Sequence, residues 1–143
     1  MEQRGTAIAK FFETFEDNNS IGDIHTIVSQ FADPFMAAGP NGAQCVLTAD
    51  FALALPKRKQ LFDSLGCEST SLVSLDESPL DARYVLARTR WQMNFTGKQS
   101  GKQQVIADAV YILDVSGETP KIILYLANQD IMAVLKDRGI LPA

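Results

Sequence analysis

One acid, Asp108, stands in the apolar run QVIADAVYIL at residues 104–113. On the buried face of such a segment a carboxyl must pair, stay protonated or perform chemistry, because an isolated charge there is costly. Few other groups could move protons or hold a metal. His25 is the only histidine, and it follows Ile24, beside an apolar stripe, as helix-surface histidines do. Asp33, in FADP, reads as a turn-forming residue. One histidine and dispersed acids cannot supply three or four convergent metal ligands, nor a Ser–His–Asp or Cys–His arrangement. Cys45 and Cys67 lack metal-ligand spacing and read as reduced thiols packed as small apolar groups. GKQSGK lacks the strand–loop–helix setting of a phosphate loop. No cofactor and no metal are expected.

The elements that hold these residues begin with helices. Ile8, Phe11, Phe12 and Phe15 fall at i, i+3, i+4 and i+7, one apolar stripe, and EDNN interrupts it. Ser20, with Asp23 three residues on, reads as the start of a second helix carrying Ile24, Ile27, Val28 and Phe31. Pro34 and the turn residues GPNG bound a short extended segment, and AQCVL reads as another. Thr48 is the expected cap of a third helix through ADFALALPKRKQLFDSLG, kinked or divided at Pro56 and ended by Gly66.

Beyond Cys67 the period becomes two. STSLVSL, RYVLARTRWQMNF, VIADAVYILDV and KIILYLA read as strands, joined through TGKQSGK and SGETP, and QDIMAVLKDRG reads as a short closing helix. The second strand separates Val85, Ala87, Thr89, Trp91, Met93 and Phe95 from Leu86, Arg88, Arg90, Gln92 and Asn94. Helices followed by a consecutive antiparallel meander imply an α+β fold with the helices on one sheet face.

The chain has 143 residues, enough for one domain over residues 1–143 with a real core. A net charge of −4 argues against nucleic-acid binding, and PKRK, the only basic cluster, reads as a solvated helix face. No apolar run approaches the roughly 20 residues that cross a bilayer. The acidic, interrupted N-terminus does not resemble a secretory signal. The expectation is a cytoplasmic protein that engages neither nucleic acid nor membrane.

IVSQFADPF, RTRWQMNF and KIILYLANQD occur in that order. With the order of elements they resemble the nuclear transport factor 2-like superfamily, which includes ketosteroid isomerase and polyketide-cyclase-like proteins, and most of all its uncharacterised bacterial members. The resemblance covers nearly the whole chain. It implies a cone-shaped curved antiparallel sheet wrapped around the N-terminal helices and enclosing an apolar pocket. It also implies the inward faces: Phe15, Phe35, Ala37, Gly39, Trp91, Met93, Asp108, Val110 and Tyr125 would line or approach the cavity.

Ketosteroid isomerase needs a carboxylate base, a tyrosine and a protonated aspartate. Asp108 matches the protonated aspartate, but Gly39 falls where the base belongs and Phe15 where the tyrosine belongs. Steroid isomerisation is therefore not expected. Two readings of Asp108 remain: a carboxyl satisfied by a tyrosine or indole donor, or a polar anchor in the pocket. The expected function is binding of a small, mostly apolar molecule inside the cone, with Asp108 as anchor. Its carboxyl would then titrate above the ~3.9 of a free aspartate. The alternative is a cofactor-free isomerase, dehydratase or cyclase using Asp108 and Tyr125. A third reading is a protein-interaction module acting through the outer sheet face. The resemblance also implies a homodimer paired through Leu86, Arg88, Arg90 and Gln92, a surface suited to an interface.

Overall fold

The first helix forms on the stripe that its spacing dictates. In the computed structural model, which describes residues 7–21, 23–97 and 101–141, α1 spans Ala7–Ile21 and buries Ile8, Phe11, Phe12 and Phe15 along one face. EDNN does not end it. Asn19 donates to the Phe15 carbonyl at 2.7 Å, and buried Asn18 reaches the Gln30 amide oxygen at 3.4 Å, so both asparagines are satisfied within a continuing helix. The second helix, α2 (Ile24–Ser29), is capped by Asp23 rather than Ser20: the carboxylate accepts from the Thr26 amide and hydroxyl. Gln30 closes α2, and Phe31 already belongs to strand β1 (Phe31–Gly39).

β2 (Gly42–Val46) returns antiparallel to β1, and α3 (Thr48–Ser64) follows as one helix containing Pro56. Pro56 does not divide it. The residue before α3, Leu47, offers no capping side chain; Asp33 on β1 instead accepts from the Thr48 amide at 3.1 Å. Asp33 is thus a helix cap reached across the fold rather than the centre of a local turn.

β3 (Cys67–Pro79), β4 (Tyr84–Gly97), β5 (Gly101–Asp114) and β6 (Lys121–Ala127) form the expected meander, and α4 (Ile131–Asp137) follows. The curved, unclosed sheet has the order β2-β1-β6-β5-β4-β3, with β1 and β6 parallel and all other pairs antiparallel. Pro34, which lacks a donor, lies in the irregular part of β1 between its Phe31 and Met36 pairings with β6.

Two apolar clusters fill the concave side. The larger joins the α1 stripe, Ile27, Phe31 and Phe35 to Ala87, Trp91, Ala109, Tyr111, Leu113 and Ile122. The smaller joins Phe62, Met93, Phe95 and Val105 to Leu135 and Ile140. On β4 the buried residues Ala87, Thr89, Trp91, Met93 and Phe95 are the set that alternation predicts. No helix among the described residues is long and apolar enough to cross a membrane.

β6 stops at Ala127, but its ladder with β5 does not. The Gln129 side chain takes over: Oε1 accepts from the Asp108 amide at 3.0 Å, and Nε2 donates to the Ile106 carbonyl at 3.3 Å. Replacing Gln129 by alanine strips a partner from each backbone group. We expect a loss of about 1 kcal/mol and faster hydrogen exchange at the Asp108 amide, measured by NMR. An unchanged exchange rate there would show the bridge to be unimportant.

Candidate functional site

β5 carries the sequence's most conspicuous acid, and pairing decides which way it points. Gly97 faces Gly101 across the hairpin, so Trp91 stands opposite Ala107, Arg90 opposite Asp108 and Arg88 opposite Val110. Trp91 is on the concave face. Asp108 and Val110 therefore lie with the arginines on the outer face, not in the cone. Asp108 makes a two-pronged ion pair with Arg90, Nε to Oδ1 at 2.8 Å and Nη2 to Oδ2 at 3.2 Å. These bonds hold its carboxyl below the ordinary 3.8, against a smaller upward push from desolvation. The expected upward shift is thus reversed, and the carboxyl is neither neutral nor bound to an indole.

A pH titration should show this. Because the folded-state pKa is depressed, the pair's contribution is present above the unfolded value and lost as pH falls through the folded one. With the Asp108 side chain 37% exposed, that contribution is small, about 0.2–1 kcal/mol. The Asp108 carboxyl carbon should titrate below 3.8 by NMR, and Arg90→Gln should raise its midpoint. A midpoint above 4 in the wild type, flagged by the ~3.9 of free aspartate, would contradict the ion pair.

Asp108 and Tyr125 cannot act on one substrate. Tyr125 stands opposite Tyr111 in the β5–β6 register, with their rings 5.3 Å apart on the concave face. The carboxylate and this phenol therefore sit on opposite faces of the sheet.

Of the other residues expected at the cavity, Phe15, Phe35, Ala37, Trp91 and Tyr125 belong to or pack on the larger cluster. Phe15 is its hub, with ring centroids 6.1 Å from Trp91, 6.0 Å from Tyr111 and 6.0 Å from Phe31. Phe35 lies 4.6 Å from Phe31. Met93 is buried but belongs to the smaller cluster, and Gly39 ends β1 opposite Gly42. Trp91 has its own polar partner: Nε1 donates to Thr89 Oγ1 at 2.8 Å, and Thr89 in turn donates to the Ala109 carbonyl.

The polar group that sequence reasoning missed is Tyr111. It is 5% exposed, with its ring against Phe12, Phe15 and Tyr125. Among the described residues its hydroxyl has no hydrogen-bond partner, whereas every fully enclosed polar side-chain atom has one. The hydroxyl must therefore keep a window of accessible surface, although its ring is sealed. Burial pushes this phenol well above 10; Tyr125 adds to the rise, and the charge of Arg58 opposes it. Neutral at ordinary pH, it is a donor without an acceptor. Its signal in the sequence was alternation with Trp91, once the hairpin register was counted.

The outer face holds a groove of about 410 Å3 beside the ion pair, walled by Ser74, Asp76, Arg88, Arg90, Asp108 and Asn128. Among the described residues no three potential metal ligands converge.

No protein-family model matches the chain, and no curated protein matches it. Solved structures do. A nuclear transport factor 2-like protein with a cystatin-like fold from Novosphingobium aromaticivorans superposes with a TM-score of 0.70 at 10% identity, covering 95% of this chain and 87% of its own. The β subunit of the benzoate 1,2-dioxygenase of Burkholderia mallei gives 0.66 at 12% identity, covering 89% and 91%. A proposed scytalone dehydratase from N. aromaticivorans gives 0.66 at 8% identity, covering 85% and 80%. At such identities the likeness is one of fold, and the fold is the nuclear transport factor 2-like, cystatin-like one.

Proposed function

Starting from that fold, we propose that the protein binds a small, mostly apolar molecule on the concave side of the sheet, with the Tyr111 hydroxyl as polar anchor and Tyr125 beside it. The observation that carries this reading is a tyrosine 5% exposed whose hydroxyl has no partner yet keeps accessible surface. A ligand oxygen could accept from this reachable donor, and a hydrogen bond of that kind contributes about 0.5–1.5 kcal/mol. Aromatic walls with one or two placed polar groups are the usual make-up of such sites. Among the described residues the buried polar side chains include Asn18, Gln30 and Thr89, none of them a base able to take a proton from carbon. The reading is therefore binding rather than turnover.

Naphthol provides a test, with fluorescence of Trp91, the only tryptophan, as the readout. Quenching should saturate, and Tyr111→Phe should weaken binding roughly 5–10-fold while leaving the ring packing intact. No response from Trp91, or equal binding by the phenylalanine variant, would sink the reading.

A second reading, self-association through the outer face, is favoured by what that face displays. Met36, Ile106 and Leu126 are 38%, 39% and 36% exposed there. Among the described residues Arg88 makes no ion pair, and Asp76 stands opposite it. A surface with both signs and apolar side chains can complement itself about a two-fold axis. Sedimentation should give a dimer at tens of micromolar and a monomer for Leu126→Asp; a wild-type monomer would remove the idea.

A further inference from the structure

β3 gains one residue on β4 partway along their ladder. Leu72 stands opposite Trp91 and Ser74 opposite Arg90, so Val73 is a bulge. In an unbroken ladder Asp76 would oppose Ala87 on the concave side. The bulge instead turns Leu75 inward, where it packs on the larger cluster, and sets Asp76 opposite Arg88 on the outer face. Residues so opposed have Cβ atoms about 4.5–5.5 Å apart, and opposite charges there ordinarily attract and pair. These two do not: among the described residues neither Asp76 nor Arg88 makes an ion pair. Both line the outer groove of about 410 Å3, a volume within the roughly 300–1,000 Å3 of small-molecule sites.

The neighbouring rank of residues spends its charge internally. Arg90 leans across to β5, where Asp108 holds its Nε and Nη2, so those two charges cancel. Ser74 and Asn128 line the same groove with side chains that make no hydrogen bond among the described residues. Val110, opposite Arg88, supplies an apolar floor. One guanidinium and one carboxylate therefore remain unspent, side by side, in a groove whose four charges sum to zero. An entering anion would be repelled by Asp76 and a cation by Arg88. A ligand with both charges on adjacent atoms can answer both at once. We infer that this groove binds a small zwitterion of the α-amino-acid class, its carboxylate on Arg88, its ammonium on Asp76 and a short apolar side chain over Val110. The site lies across the sheet from the concave one proposed above and does not depend on it.

Leucine, leucinamide and isocaproate share one apolar body but carry both charges, the positive charge alone and the negative charge alone. Titrated into isotope-labelled protein and followed by NMR, leucine should shift the Val110 and Asn128 amides. It should bind at least about fivefold tighter than either of the others, an advantage that salt reduces because Asp76 and Arg88 are exposed. Arg88→Gln and Asp76→Asn should each weaken leucine by about that factor. Each should also lift a repulsion: Arg88→Gln should improve leucinamide and Asp76→Asn should improve isocaproate, gains that loss of fold cannot produce. Equal affinity for the three probes, no binding, or variants that weaken all probes alike would overturn the inference. So would a dimer that ignores leucine and dissociates in Arg88→Gln, because the two charges would then belong to the contact between copies. The naphthol test, read through Trp91 on the opposite face, stands or falls separately.

Discussion

Gly66→Ala is expected to destabilise the protein by about 3 kcal/mol or more, out of the roughly 5–15 kcal/mol typical of a domain. Two independent effects combine at this position. Gly66 has a φ of +87°, a left-handed conformation that a Cβ disfavours. A Cβ built there would also lie 2.1 Å from the Thr96 carbonyl oxygen and 2.8 Å from its carbon. Neither strain nor clash relaxes easily, since the obstacle is backbone and the Thr96 amide already donates to the Gly66 carbonyl at 2.8 Å. Urea unfolding followed by circular dichroism measures the loss, with Gly117→Ala as control: its nearest neighbour would be 3.9 Å away and its φ is not positive. A midpoint for Gly66→Ala equal to that of Gly117→Ala would refute this account.

Phe12→Ala should be comparably severe, at about 3–5 kcal/mol. Phe12 is fully buried, with ring contacts at 5.2 Å to Phe11, 5.9 Å to Phe15 and 5.1 Å to Tyr111. Truncation removes the ring and opens a hole where α1 meets the sheet. The melting temperature should fall by roughly 10–20 °C, and Phe12→Leu should recover most of it. Near-equal melting of the alanine and leucine variants would mean that the surrounding rings collapse into the space.

These two positions differ in how plainly the chain announces them. Phe12 was legible because the α1 stripe needs only a local period, and the same holds for the concave residues of β4. β5 was ambiguous. Val105, Ala107, Ala109, Tyr111 and Leu113 on one face compete with Ile106, Asp108, Val110 and Ile112 on the other, and both sets are mostly apolar. Matching Asp108 to an isomerase aspartate chose the wrong set. Counting from the glycine-flanked turn would have chosen correctly, since Gly97 facing Gly101 forces Arg90 opposite Asp108 and returns small alanines to the side that holds Trp91. That one-residue choice also hid Tyr111. PKRK is largely the solvated helix face that its charges imply, with Pro56, Lys57 and Arg58 exposed. Asp33 capping α3 and β1 pairing with β6 rest on contacts between distant parts of the chain, which no local window reports.

The parallel β1–β6 pair has a kinetic consequence. During synthesis β1 has β2 on one side at once, but its other neighbour begins at Lys121, about eighty residues later. At roughly 5–20 residues per second, that is about 4–16 s in which one edge of β1 stays open and the α1 phenylalanines lack most of the sheet that buries them. Pairings so remote in the chain also slow refolding in vitro. For a nascent chain of this kind, the exposed β1 edge and the α1 face are the surfaces on which aggregation would start and a holding chaperone would act.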